Sequence, residues 1–548
     1  MRLLLALVAA LTLLPACAAS PPPSALPSRE SPDPRALAVD RLFARWARPD
    51  SPGCAVAVSE DGRVLHARGY GMADLEHGIA LSPGTSFHVA SVSKQFTALA
   101  VLMLAHEGRL SLDDDVRRHV PEVPAFGGAR ITLRHLLHHT SGLRDQWSLL
   151  RLAGFRPEDV ITDADVLDIV SRQQELNFAP GEEHLYSNTG YGLLAIVVQR
   201  LTGKPLNDFA SARIFGPLGL SGTHFHADHT SLVPGRSYGY ERRGGDGYRL
   251  RNPPFDTVGA SSLHSTPLDL VRWSDALADG RAAGPAVTAL MIAPGRLADG
   301  TVLPYAAGLQ IGSYRGLPTV EHGGADAGFR AEILRFPAQR LAIACTCNIA
   351  EARPQELAHS IADIYLEGRL APRPEAPSMA ADPARAGTYY NPRREEILRV
   401  EHRDNQLSIT GVPLAPLAEG RFRLGTTEIA FRANGPRVTL ERTPQGLPTV
   451  GYERVDPPHP TAADLAPIAG VYESPELDAR YTLTVTGDTL SVRPPRTPAR
   501  RLAPVSPDVF ADDDGRVIHI VRAADNHVTG FTLSTGRVRR LRFVRRSG

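Results

Sequence analysis

Residues 90–110 read ASVSKQFTALAVLMLAHEGRL. The run from Phe96 to Leu104 is apolar apart from Thr97, which predicts a buried helix ending at Gly108. Its start carries Ser91-Val92-Ser93-Lys94. A spacing of three sets the Ser91 hydroxyl and the Lys94 amine on one helical face, one turn apart. A lysine in a desolvated site loses basicity, and its neutral amine can then take a proton from a neighbouring hydroxyl. Arginine stays protonated and cannot do this. Lys94 and Lys204 are the only lysines among 60 basic residues, so lysine has been kept here in a chain that otherwise uses arginine. A bare S-x-x-K is common on amphipathic helices, and alone it reads as a solvated lysine; Lys204, after a helix-ending glycine, has that reading.

Outward from this helix the pattern is α/β. PGCAVAVSEDGRVLHARGYG, residues 52–71, predicts two strands joined at Glu60-Asp61-Gly62. Helical segments follow at 132–140, 163–173, 191–203 and 267–280, and strands return in GLPTVEHGG, AEILRFP and LAIACTCNIA. Helices between the first and last strands of one sheet give an α/β domain over 37–368. Residues 369–382 form a Pro/Ala linker, and alternating strand-like runs with Gly, Asn, Asp and Pro turns follow. AGTYYNPRREEILRVEHRDNQLSI from Ala386 matches AGVYESPELDARYTLTVTGDTLSV from Ala469, an internal repeat. Each unit suits a small closed antiparallel barrel, at 383–455 and 464–548.

Two further elements bear on the chemistry. Tyr186-Ser187-Asn188 offers a phenol and an amide before a helix, and His322-Gly323-Gly324 offers an imidazole and two glycines on a strand. The order S-x-x-K, Y-x-N, H-x-G resembles the serine hydrolases related to class C β-lactamases and penicillin-binding peptidases. Residues 52–74, 131–143, 178–195, 214–225 and 259–273 resemble that family's segments in its order, so the likeness spans 38–368. It implies a β-lactamase/transpeptidase-like domain, an antiparallel sheet with a helical lobe, and Ser91 in the cleft between them. It implies further that Ser91 attacks a carbonyl while Lys94 and a Tyr186 phenolate share the proton, and that Asn188 holds the substrate amide. The N–H groups of Ser91 and Ala325 would form the oxyanion hole, worth roughly 3 kcal/mol per donor. Where β-lactamases carry Lys-Thr-Gly, this chain has His322-Gly323-Gly324, and a neutral imidazole gives no fixed charge for a substrate carboxylate. The H-x-G form with two lipocalin-like barrels is similar to D-aminopeptidases, in which a barrel loop reaches toward the cleft. The expected activity is hydrolysis of D-amino-acid or peptide amides through an acyl-enzyme, with esters or β-lactams as the alternative, on small-molecule substrates and without a cofactor.

Other classes compete less well. Thr223–His229, THFHADH, fits a zinc motif in which His224, His226, Asp228 and His229 would bind metal, although IFGPLGLSG before it is not strand-like. His135, His138 and His139 read as capping and packing residues, Asp113–Asp115 as a solvated helix start, and Arg243-Gly244-Gly245 as a lid loop. A non-enzymatic alternative makes the barrels pockets for an apolar ligand. A formal charge of +1 over 548 residues gives no draw to nucleic acid, and 43% apolar composition excludes disorder throughout.

MRLLLALVAALTLLPACAAS has the build of a bacterial export signal over 1–19, before a Pro/Ser tether at 20–36. Leu14-Pro15-Ala16-Cys17 also fits a lipobox, so a periplasmic enzyme and a lipid-anchored one are equally open. In the resembling fold the last strand returns beside the first, bringing Cys54 near Cys345 or Cys347. Neighbouring-strand cysteines seldom meet disulfide torsions, so three free buried thiols are expected.

Overall fold

The computed structural model describes residues 33–245, 247–373, 377, 381–434 and 437–546. The export signal, Cys17 and most of the tether lie outside the described residues. Helix α1 (Pro34–Phe43) begins inside the stretch read as tether, because Asp33 accepts the Arg35 N–H and Pro34 occupies the first turn.

The α/β body is built on β1 (Cys54–Glu60), β2 (Arg63–Tyr70), α2 (Ser93–His106), α3 (Asn188–Thr202), α4 (Pro267–Ala278), β3 (Gln310–Tyr314), β4 (Leu317–Asp326), β5 (Phe329–Phe336), β6 (Leu341–Cys347) and α5 (Pro354–Tyr365). The six strands form one antiparallel sheet in the order β3-β4-β5-β6-β1-β2. The last strand does return beside the first, as the resemblance implied. Alternation along β1 divides two cores: Ala55 and Ala57 join the large core of the helical lobe, whereas Val56 and Val58 join the core under α1 and α5. Every residue of α2 from Ser93 to Leu104 is buried. Trp273 of α4 donates to the Gln95 side chain of α2 at 2.8 Å, which gives the buried indole N–H an acceptor.

The expectation of three free thiols is corrected. Cys54 and Cys347 are directly opposed in the β1–β6 register, their Cα atoms 4.0 Å apart, and they form a disulfide. Cys345, two residues earlier on the same face of β6, remains a buried thiol with its sulfur 3.9 Å from that of Cys347.

Two antiparallel β bodies follow. The second is a closed eight-stranded barrel running from Gly470–Ser474 to Val538–Arg545. The first is a nine-stranded sheet whose end strands, Val412–Pro413 and Ala415–Ala418, are separated in sequence by Leu414 alone. It curls until its edges nearly meet, without the ladder that would close it. The repeat is visible as a shared opening: a five-residue strand, a four-residue turn and an eight-residue strand. In each copy the tyrosine hydroxyl returns to the carbonyl four residues back, Tyr389 to Arg385 and Tyr472 to Ile468. Inside the second barrel Phe531 stacks on Phe543 at 4.4 Å, with Tyr481 and Tyr472 against them. Aromatic side chains thus fill the space that the ligand-pocket reading required.

The second barrel docks on the helical lobe. Arg144, wholly buried, is ion-paired with Glu476 and donates to the carbonyl of Arg539 at 2.9 Å. Tyr481 donates to the carbonyl of Leu152 at 2.9 Å, and Arg394 and Arg539 both pair with Glu183, two residues before Leu185-Tyr186.

Candidate active site

Ser91 lies not in α2 but in the single 3₁₀ turn Ala90–Val92 before it, where Ala90 takes φ 48°. This turn is pressed against β4. A Cβ on Gly324 would fall 2.2 Å from the carbonyl oxygen of Val89, so only glycine lets the strand approach Ser91 so closely. The second glycine of the His-Gly-Gly element is thereby explained. β3 covers β4 only from Leu317 to Glu321, leaving the edge of His322–Asp326 without a partner on that side.

Lys94 is wholly buried, and its Nζ lies 3.1 Å from Ser91 Oγ, 2.9 Å from Asn188 Oδ1 and 2.7 Å from the carbonyl oxygen of Ala260. Burial drives its pKa well below the usual lysine value; Arg537 lowers it further, against the opposing pull of Asp145 and Asp326. A neutral amine in this position donates to Asn188 and Ala260 and turns its lone pair to the Ser91 hydroxyl. Asn188 uses both ends within the protein, since its Nδ2 donates to Asp145 Oδ2 at 2.8 Å. Asn188 thus bridges Asp145 and Lys94 while lining the cavity, and its amide keeps one N–H and one lone pair beyond these two bonds. Asp145 is also wholly buried and caps the helix Gln146–Ala153 through the Ser148 N–H.

Burial works against the Tyr186 phenolate that the resemblance implies. The Tyr186 hydroxyl is buried without a partner of ordinary hydrogen-bond geometry; burial raises its pKa, and the nearby Ser91 hydroxyl reverses only part of that rise. Burial also draws the Lys94 amine toward its neutral form, so it offers little to offset the cost of a phenolate. Lys94 Nζ sits 4.8 Å from the ring centroid, the His139 ring 4.2 Å, and the Arg537 guanidinium 4.9 Å. His322 accepts from the Tyr305 hydroxyl at 3.0 Å and donates through Nδ1 to the Gly323 carbonyl. Burial takes its pKa to about 3, so it is the uncharged group the sequence implied.

One cavity of about 910 Å³ is lined by Ser91, Tyr186, Asn188, His322–Ala325 and Arg537. Four contributors escaped the sequence reading. Asp145 and Tyr305 belong to no motif, and Asp145 carries only the signal of a helix cap. His139 packs where simple packing was expected, but its ring faces Tyr186. Arg537 comes from the turn of the last hairpin of the second barrel, between Val528–Thr535 and Val538–Arg545. Its carbonyl accepts from the Asp145 N–H at 3.3 Å and from the Asn177 side chain at 3.0 Å.

The zinc reading is not supported. His224 and His226 pack with His264, at centroid separations of 5.5 and 5.1 Å, while His229 turns to Asp256 and Asp228 accepts from Thr230 and Ser231. Among the described residues these four side chains do not converge on one point; only Asp228 and His229, with Asp256, lie close enough to share an ion. His135 does cap its helix, on Thr132. Arg243, Gly244 and Gly245 sit past the strand Tyr240–Arg242 and are not among the residues lining the cavity.

Comparison with known proteins places this geometry. A family model described as Beta-lactamase matches residues 39–366. A D-aminopeptidase of Gluconobacter oxydans (strain 621H) is 28% identical over 463 residues, covering 82% of this chain and 84% of that protein. A D-aminopeptidase of Cereibacter sphaeroides (strain KD131 / KCTC 12085) is 28% identical over 513 residues, covering 90% and 96%. The solved structure of the octameric penicillin-binding protein homologue from Pyrococcus abyssi shares the fold, with a TM-score of 0.52 at 20% identity over 80% of this chain and 94% of that one.

Proposed function

Since the chain belongs to the Beta-lactamase family and is a serine hydrolase of it, we propose that it cleaves amides of D-amino acids or short D-peptides in the manner of a D-aminopeptidase, with Ser91 as nucleophile. The observation that carries this reading is the buried Lys94 amine, 3.1 Å from Ser91 Oγ and held from behind by Asn188 and Ala260. Its scope is supported by D-aminopeptidases that align with this chain through the barrels as well as the catalytic body.

Ser91 Oγ attacks the amide carbon as its proton passes to Lys94 Nζ. The oxyanion is received by the N–H groups of Ser91 and Ala325. Collapse breaks the C–N bond; the leaving nitrogen takes the proton back from the Lys94 ammonium and departs as the amine. Water then adds to the acyl-enzyme, giving one proton to Lys94, and the acid leaves as Ser91 Oγ recovers that proton. The Tyr186 phenol, neutral and otherwise unpartnered, hydrogen-bonds the serine oxygen along this path. The Cys54–Cys347 bridge supports the further proposal that the enzyme works in an oxidising compartment outside the cytoplasm.

Release of p-nitroaniline from D-alanine p-nitroanilide, with the L-isomer as control, tests the reading, and a fluorophosphonate should add one adduct that Ser91→Ala abolishes. Lys94→Arg should lower kcat/KM by about 10²–10⁴, because a guanidinium cannot take the serine proton. No turnover of any D-amino-acid amide by a protein that does label at Ser91 would move the assignment to esters.

A further inference from the structure

Across the unpartnered edge of β4 from Ser91, on the face of the sheet that packs against α5, stands a carboxyl group that the reaction above does not use. Glu332 of β5 is directly opposite Gly323 in the register, so its side chain rises on the face toward which a Gly323 Cβ would point, opposite to the face on which Gly324 meets the Ser91 turn. It is 3% exposed, lines the same cavity as Ser91, and its Oε1 has no hydrogen-bond partner. Its other oxygen lies over Gly323: a Cβ there would come within 2.9 Å of Glu332 Oε2. The first glycine of the His-Gly-Gly element thus leaves room for a carboxyl at the strand edge. Nearby charges are otherwise engaged. Arg330 donates to the carbonyls of Ala327 and Phe329, and Arg353 is paired with Glu356. Glu321, the diagonal neighbour, has its buried oxygen 3.7 Å from His359 Nε2 of α5, too long for a hydrogen bond.

We propose that Glu332, reaching over Gly323, is a specificity residue that pairs with an ammonium group carried by the substrate about two residues' length, roughly 6–7 Å, along β4 from the reacting carbonyl. The substrate class is therefore an amide bearing a second, remote cation, and substrates with a carboxylate at that point are turned away. Burial and the proximity of Glu321 hold the Glu332 pKa well above the ordinary carboxylate range, so an arriving ammonium is what makes ionisation favourable. A buried carboxyl left with one empty oxygen is costly unless something fills it. The proposal rests on the reading of Ser91 as the acylated nucleophile.

The test uses matched pairs on the full chain: D-ornithine amide against D-norleucine amide, and D-alanine N-(2-aminoethyl)amide against D-alanine N-propylamide. D-Alanyl-glycine supplies a carboxylate. At least one cationic member should exceed its neutral isostere in kcat/KM by tenfold or more, and D-alanyl-glycine should be the poorest. Glu332→Gln should cut the cationic-to-neutral ratio at least tenfold. Gly323→Ala, which displaces the carboxyl without removing it, should cut it as well. Running each acyl pair also as ethyl esters keeps the outcome readable if amides are not turned over, since failure of the amide reading then leaves the ratio measurable. Ratios near one in both pairs, or a ratio that survives in Glu332→Gln protein with a wild-type melting curve, would overturn the assignment.

Discussion

Lys94 is poised between the positive charge of Arg537 and the negative charges of Asp145 and Asp326, which makes its titration the most direct reporter of the site. The active form is the neutral amine, so kcat/KM should rise with pH through the Lys94 pKa of the free enzyme, below the usual lysine value. Asp145 favours the ammonium. Asp145→Asn should therefore move the acidic limb of the profile to lower pH, by roughly one pH unit, while the plateau falls because Asn188 is no longer pinned. A limb that stays in place would mean that another group controls it. At this scale the sequence was partly legible. Ser91 and Lys94 are local to one turn and were readable from spacing. Asp145 and Tyr305 meet them only through packing of distant segments, and nothing in either residue's own neighbourhood marks it. The full burial of the Tyr186 hydroxyl, which works against a phenolate, is likewise a product of distant packing.

The antiparallel pairing of β1 with β6 followed from the resemblance, but its chemistry did not. A general rule about neighbouring strands gave three thiols, whereas the actual register sets Cys54 and Cys347 face to face. A non-reducing digest should contain one cross-linked peptide joining residue 54 to residue 347, with Cys345 alkylated only after unfolding. Cys54→Ser should lower stability by about 2–5 kcal/mol in urea titration, since the bridge closes a long loop. Reagent uptake by all three cysteines under those conditions would contradict the bridge. The barrels were legible as alternation and repeat. That one closes its ladder and the other stops a residue short depends on how strand ends meet, which periodicity does not encode.

Across the whole molecule, the second barrel supplies part of the cavity and not only a lid over it. Arg537 lowers the Lys94 pKa, so Arg537→Gln should shift the acidic limb to higher pH, opposite to Asp145→Asn, and more so at low ionic strength. Two substitutions on different bodies moving one titration in opposite directions would be hard to obtain from misfolding. The docking itself rests on a buried ion pair: Glu476→Ala leaves Arg144 without its carboxylate partner and should cost about 3–5 kcal/mol, read as a lower urea midpoint. Glu476→Gln, which keeps a hydrogen bond, should cost less. The cleft wall made by β4 is held by glycine contacts and sheet register, whereas the wall made by Arg537 stands on a hairpin turn, the kind of segment that accepts new residues and new lengths without loss of the fold. Descent with modification can therefore work on the two walls at different speeds. The bond-breaking side is locked, while the turn is open to trial, so a change of diet would take a few codons rewritten in a domain that supplies neither the nucleophile nor the base.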